Sequence, residues 1–290
     1  MNIVKSFCAA AACGCAVLAA AGEGLADAEN GETDEESAVC IEAGLKIDSR
    51  YLTYSLIEGK DPIVTPSLCI TFFDWVYVGG EAFIDVTKGN GKRGGYGNRA
   101  GKVTTYDPAV GIAHEFSLGE TLGTLALDFD YIYEFIPRHK GSMNDTQYFD
   151  LRLKLKDLWL EPLLWIERDF MLDDGTYVNL ELGHTFPLVG EGENATFAFR
   201  PSVAQGFGNK QRTRGYDLAQ SHAGLMDGIV KGEFTWRLGD HAKIVAYAAY
   251  CDYWFDRSLR HGARARNAGW GKGCDHSWNF VGGVGVAFEF

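Results

Sequence analysis

The chain has 290 residues, 46% hydrophobic and 23% charged, which excludes both a disordered polymer and a helical membrane bundle. Its 36 glycines, 7 prolines and many aromatics (18 Phe, 13 Tyr, 7 Trp) suit strands and open loops better than helices. A net charge of −12 excludes a general nucleic-acid binder but leaves local basic patches open.

Residues 1–28 read as a secretory signal peptide. Lys5 supplies the positive start, and Phe7 to Ala21 is an unbroken apolar run, too short for the roughly 20 residues that span a bilayer. Small residues place cleavage after Ala21 or Ala28. A lipoprotein reading through Cys13 is disfavoured because Ala10 stands where a branched apolar residue is usual. Residues 29–38 continue an acidic stretch with Glu29, Glu32, Asp34, Glu35 and Glu36 but no base or aromatic, a solvated, disordered leader. Beyond Ala28 four cysteines follow, Cys40, Cys69, Cys251 and Cys274, too few for a disulfide framework. Cys251 and Cys274 bracket a long loop; a disulfide between them and two free packing thiols are both open.

From residue 39 to 290 the pattern has period two, and twelve segments follow: 39–52, 62–72, 75–87, 107–117, 123–136, 146–156, 158–168, 175–187, 195–206, 226–238, 242–255 and 277–290. Leu125, Leu127, Phe129, Tyr131, Tyr133 and Phe135 share one face, with Asp128, Asp130 and Glu134 on the other. Phe149, Leu151, Leu153 and Leu155 likewise oppose Asp150, Arg152 and Lys154. Connections alternate between short ones (Phe73-Asp74, Leu118–Leu122, Asp157, Leu188–Asn194, Gly239–His241) and long ones. An even strand count, short turns at one end and long loops at the other define an antiparallel up-and-down transmembrane β-barrel, all-β, with both termini at the short-turn end. A soluble sandwich alternates too, but buries its apolar face. Aromatics at strand ends favour the membrane: Tyr131, Tyr133 and Phe135 at one end, Phe234 and Trp236 at the other.

The last segment, with Val284, Val286, Phe288 and Phe290 alternating to the terminal aromatic, resembles the C-terminal assembly signal of bacterial outer-membrane β-barrels of porin type. The segment order after Ser49-Arg50-Tyr51 is also similar to an uncharacterised proteobacterial outer-membrane family. The resemblance implies an outer-membrane location, periplasmic termini, contact with outer-membrane lipid and lipopolysaccharide, and recognition of the last strand by the barrel-assembly machinery.

Three prolines, Pro66, Pro162 and Pro201, fall inside proposed strands, where each removes a ladder donor, so they are expected at bulges or the membrane boundary. Gly89-Asn90-Gly91-Lys92-Arg93-Gly94 matches a dinucleotide fingerprint literally, but no helix pattern follows it, and it reads as an open loop. Among the histidines, only His276, with Asp275 and Cys274, approaches a constellation, and it reads as a hydrated loop residue. No enzyme, cofactor or metal site is expected. The inward face carries Glu42, Glu81, Asp85, Asp128, Asp130, Glu134, Arg152, Lys154, Lys231, Glu233 and Arg237 as candidate lumen-lining residues. The long loops are basic: Lys88, Lys92, Arg93, Arg99 and Lys102 in one, Arg138, His139 and Lys140 in the next, then Lys210, Arg212 and Arg214, then Arg257, Arg260, Arg264, Arg266 and Lys272. These features point to a passive or weakly selective pore for small polar solutes. The alternative is a structural or surface-interaction barrel plugged by its own charges, and an outer-membrane hydrolase ranks third.

Overall fold

The computed structural model describes residues 39–87, 100–137, 145–191, 195–218 and 222–290. The signal peptide, the acidic leader, the Gly89–Gly94 motif and the basic residues Lys88, Lys92, Arg93, Arg99, Arg138, His139 and Lys140 lie outside them.

The strands are β1 (Val39–Asp48), β2 (Tyr51–Thr53), β3 (Leu56–Gly59), β4 (Ile63–Phe72), β5 (Val76–Asp85), β6 (Lys102–Ser117), β7 (Thr124–Glu134), β8 (Thr146–Leu155), β9 (Leu163–Asp169), β10 (Thr176–Gly183), β11 (Phe186–Val189), β12 (Phe197–Gly208), β13 (Gly224–Arg237), β14 (Ala242–Asp252) and β15 (Asn279–Glu289). Two helices lie in long loops, α1 (Lys210–Gly215) and α2 (Arg257–Ala268). All neighbouring strands are antiparallel. The ring runs β1, β4 to β10, β12 to β15, and closes where β15 pairs with β1, Leu45 opposite Val286. Ile41 and Phe290 exchange backbone hydrogen bonds of 3.0 and 2.9 Å, so the closing seam extends to the last residue. Twelve strands form the wall, as the alternation predicts. β10 and β11 count as one, because both pair with β12 on either side of a break at His184-Thr185.

Closure follows from the sequence pattern. A strand buries one face and must pair both edges, and a ring leaves no edge unpaired. The outward side chains are apolar and exposed on strand after strand: Ile41 and Leu45 on β1, Val110 and Ile112 on β6, Phe234 and Trp236 on β13, Phe280 and Val284 on β15. The inward ones are buried, polar over much of the wall and apolar where the loops pack inside.

The strand prolines sit where a ladder is already interrupted. The β4–β5 pairing skips Thr65 and Pro66 and resumes at Ser67 in the same register. Pro201 lies opposite the break between β10 and β11, its carbonyl accepting the His184 N–H at 3.3 Å. Pro162 is not in a strand. The predicted segment 158–168 is corrected to β9 (Leu163–Asp169), and the turn before it is longer than a lone Asp157, because Pro162 cannot donate to the ladder and its carbonyl instead accepts the Leu155 N–H at 3.1 Å.

The first segment also ends earlier than predicted, at Asp48, because the chain leaves the wall there. Residues 51–59 form the hairpin β2–β3, a separate two-stranded sheet inside the ring. Its turn residues Tyr54 and Ser55 both adopt left-handed backbone (φ 46° and 62°), a strain of about 1–2 kcal/mol per residue that their buried contacts offset. Helix α2 is capped by Asp256, which accepts the Ser258 and Leu259 N–H groups at 3.0 Å each. Its inner face, Leu259 and Ala263, joins Tyr54, Leu56, Tyr177, Leu218, Met226 and Tyr253 in an apolar core within the long-loop half of the barrel. Leu52 and Ile57 join a second cluster with Val245, Tyr247 and Val281. Of the two readings left open for Cys251 and Cys274, the disulfide is not formed: the two pack, unbridged, in that second cluster as small apolar groups.

Gly111 shows how tightly the wall constrains its lining. A Cβ there would lie 2.5 Å from the Tyr77 ring and 2.8 Å from the Asp130 Cβ. Gly111→Val is expected to displace Tyr77 and cost about 1–3 kcal/mol. A lowered midpoint in the loss of the heat-modifiable gel band checks it, and an unchanged midpoint counts against this packing.

Candidate functional site: the charged lumen and its plug

Strand parity aims every candidate lumen residue inward, and the register decides which of them meet. On β7, β8 and β9, Asp130 stands opposite Asp150 and Asp150 opposite Glu167, while Asp128 stands opposite Arg152. Like charges directly across strands repel. Arg152 relieves this, reaching Asp128 at 3.2 Å, Asp130 at 3.3 Å and Asp150 at 2.5 Å. Its guanidinium also lies over the Trp165 ring, 5.9 Å from the centroid. The Tyr77 hydroxyl lies 2.7 Å from Asp128 and 2.9 Å from Asp130, its one proton serving one of them at a time. Asp128 and Asp150 are completely shielded from solvent. This hub is a structural knot rather than an open lining.

Nearer the short turns the pairs alternate in sign. Lys154 bridges Glu161 at 3.0 Å, Glu161 also reaches Arg200 at 3.4 Å, and Arg200 bonds Glu181. Burial alone would raise the Glu161 carboxyl in its turn, but Lys154 and Arg200 outweigh it and hold the group below the usual carboxylate range. Lys231 meets Glu233 there at 3.4 Å, whereas Lys46 meets Asp48 at 3.1 Å at the long-loop end of β1. At the short-turn mouth, Glu42, Arg237, Lys243 and Glu289 line a cavity of about 30 Å³.

Nearer the long loops the hairpin crosses the interior. Tyr54 donates to Glu167 on β9 at 2.5 Å, Ser55 donates to Asp227 on β13 at 3.1 Å, and Asn279 on β15 donates to the Ser55 carbonyl at 2.8 Å. Tyr51 stacks on Phe83 of β5 at 4.9 Å. Arg212 of α1, almost wholly buried, reaches Glu167 at 2.7 Å and Asp173 at 3.4 Å, over the rings of Tyr54 and Tyr216. Burial pushes the Asp173 carboxyl in its loop up to about 6 against the pull of Arg212. Arg266 bonds Glu58, and the Ile57 N–H donates to Asn267 at 3.0 Å, so α2 locks the hairpin from above.

A further row differs from these. Glu81 is paired in register with Asp107, and Asp107 stands level with Glu134, between the Tyr106–Phe135 bridge and the Ala109–Ile132 pair. Three carboxylates thus line adjacent strands, and among the described residues no ion pair joins any of them to a basic side chain. Asp107 is fully buried and neither of its carboxylate oxygens has a hydrogen-bond partner.

Asp128, Asp130, Arg152, Lys231 and Glu233 are buried in the lining, and Glu134 and Lys154 are half-buried beside them. The sequence reading passed over Tyr77, Asp107 and Arg200 as members of the lining to single out, although the same parity includes them. Tyr54, Glu58 and Arg212 carried no such signal, since they lie in loops. His276 is engaged by backbone, its ring nitrogens lying 2.5 Å from the Trp278 carbonyl and 2.9 Å from the Gly273 carbonyl. That occupies both nitrogens a catalytic or metal-binding role would need.

An apolar exterior around a charged interior defines the class: a transmembrane antiparallel β-barrel. No family model matches the chain, and no curated protein matches it. Among solved structures it is similar to the KdgM porin in complex with disordered oligogalacturonate (10% identity, TM-score 0.46, covering 87% of this chain and 99% of that one). It is similar also to the NanC porin (11%, 0.45, 87% and 99%) and to the translocator domain of autotransporter NalP from Neisseria meningitidis (10%, 0.38, 89% and 90%). At such scores the functional assignment rests on the lumen's own geometry.

Removing Arg152 strands three buried carboxylates. Arg152→Met is expected to cost about 3–5 kcal/mol in unfolding from detergent or lipid, and adding Asp128→Asn and Asp150→Asn to recover part of it. Strict additivity of the three changes in urea titrations counts against a shared hub.

Proposed function

We propose that the chain is an outer-membrane barrel, with periplasmic termini, that passes small polar solutes through a narrow lumen held closed at rest by the β2–β3 hairpin. The observation that carries this reading is the row Glu81–Asp107–Glu134. In a sealed plug such a row is either neutral by protonation or left unmatched, and an unpaired charge away from water costs several kcal/mol. A passage visited by water and cations supplies the missing partners. The hairpin is the natural gate: it is a short insertion held, among the described residues, by hydrogen bonds, the Arg266–Glu58 ion pair and packing, and it touches walls on opposite sides of the ring. Charge selection then falls to the unmatched row rather than to Asp128 and Asp130, whose charge Arg152 already offsets. Ions are selected where the passage is narrow and the dielectric low, while the exposed basic loops are screened within about 8 Å at physiological salt.

A second reading has its own support. Asp128, Asp150, Lys231 and Glu233 are all buried, as in a barrel whose interior is a permanent core serving a structural or surface role.

Planar-bilayer recording separates the two. The intact protein is expected to give small, brief conductance steps. Replacing residues 51–59 by a Gly-Ser linker is expected to raise the unit conductance several-fold. Silence from both, with the heat-modifiable gel band intact, supports the closed barrel and defeats the pore. In a salt gradient the hairpin-less pore should prefer cations, and Asp107→Asn with Glu134→Gln should bring its reversal potential towards zero. An anion preference unchanged by these substitutions would place selection in the loops. The orientation predicts that a tag near Gly95 is reached by antibody on intact cells and one near Asp240 is not.

A further inference from the structure

Helix α2 carries two opposed faces. Leu259, Ala263 and Asn267 point into the barrel and are fully buried. Arg257, Arg260, His261 and Arg264 follow the spacing that puts side chains on one stripe of a helix, and this stripe faces away. Between the stripe and the segment leading into β15 lies a cavity of about 410 Å³. Its far wall is Asp275 to Trp278, with the His276 and Trp278 rings stacked at 4.1 Å.

The cavity is built rather than incidental. Arg260 is held by Asp252 at 2.9 Å and Ser277 at 3.2 Å, and Arg264 Nε donates to the Asp275 carbonyl at 2.8 Å. These bonds orient two guanidinium groups and leave Arg264's terminal nitrogens, and all of exposed Arg257, for a ligand. With Arg260 matched by Asp252, Arg257 and Arg264 share the cavity with one carboxylate, Asp275. The fork of donors on an arginine matches the oxygens of a phosphate. The lip of the cavity decides the source. Trp278 is exposed on the outward surface at the long-loop end of β15, beside Tyr250 at 6.4 Å and two residues before the exposed Phe280. A site with an arginine wall and an aromatic sill at that height faces the headgroup layer.

We infer that this cavity binds a phosphorylated sugar headgroup of an outer-leaflet lipid, with Arg257 and Arg264 on the phosphate and Trp278 against the sugar or upper chain. The inference rests on the orientation proposed above but not on conduction. It extends the general basic character of the loops to one defined pocket.

The test is native mass spectrometry of the full-length refolded barrel, titrated with diphosphoryl lipid A, with dephosphorylated lipid A and with inorganic pyrophosphate. Diphosphoryl lipid A is expected to bind the wild type, with removal of its phosphates weakening binding by about tenfold. The double variant Arg257→Ala/Arg264→Ala should lose about the same factor, while Lys210→Ala/Arg214→Ala, which removes two exposed charges from α1, should stay within about twofold. A heat-modifiable gel band verifies that each variant is folded. Equal lipid binding by wild type and the Arg257/Arg264 variant overturns the site. Pyrophosphate displacing the lipid at equal concentration overturns the lipid source and leaves a site for free anions. Bilayer silence of the same preparation bears on the pore alone.

Discussion

Hydrocarbon offers a backbone no hydrogen bonds, so every strand facing it must be paired on both edges. That constraint makes β1 and β15 meet, and most other features follow. Closure turns a period-two sequence into an inside and an outside, and it forbids slips: a one-residue shift would carry Asp128, Asp130 and Arg152 into lipid. The prolines fit the same rule. Pro66 and Pro201 occupy positions where the ladder is already broken, so their missing N–H groups remove no further bond.

Inside, the cost of dehydrating charge organises the lining. Cross-strand register brings Asp130, Asp150 and Glu167 level, an arrangement that repels unless a cation is shared among its members. Arg152 serves two of them together with Asp128, and Arg212 serves the third from a loop helix. Lys154, Arg200 and Lys231 complete a similar balance near the short turns. Against this background the carboxylates of Glu81, Asp107 and Glu134 on β5, β6 and β7 stand apart, with no ion pair to a base among the described residues.

The long loops do more than cover the barrel mouth. The β2–β3 hairpin brings Leu52, Leu56 and Ile57 inside, where the inner ends of β13 to β15 and helix α2 supply apolar partners. The outer half of the lumen is thus packed like the core of a soluble protein, while the rest is held by charge. Helix α2 sets its apolar face on the hairpin and turns its arginine stripe away from it.

Strand number, their antiparallel order and the face of each side chain were legible from the sequence, because alternation is a local property of a few neighbouring residues. Asp128, Arg152 and Glu233 could be assigned to the interior on that ground alone. The structure decided which charges meet, since Arg152 gathers Asp128, Asp130 and Asp150 only once register is set by closure. It also decided that residues 51–59 leave the wall, that β9 begins after Pro162, and that Cys251 and Cys274 pack without a disulfide in one apolar cluster. These outcomes depend on contacts between residues up to more than two hundred positions apart, such as Asn279 with Ser55. No periodicity records such a contact, because it exists only when the ring has closed and the loop has somewhere apolar to go.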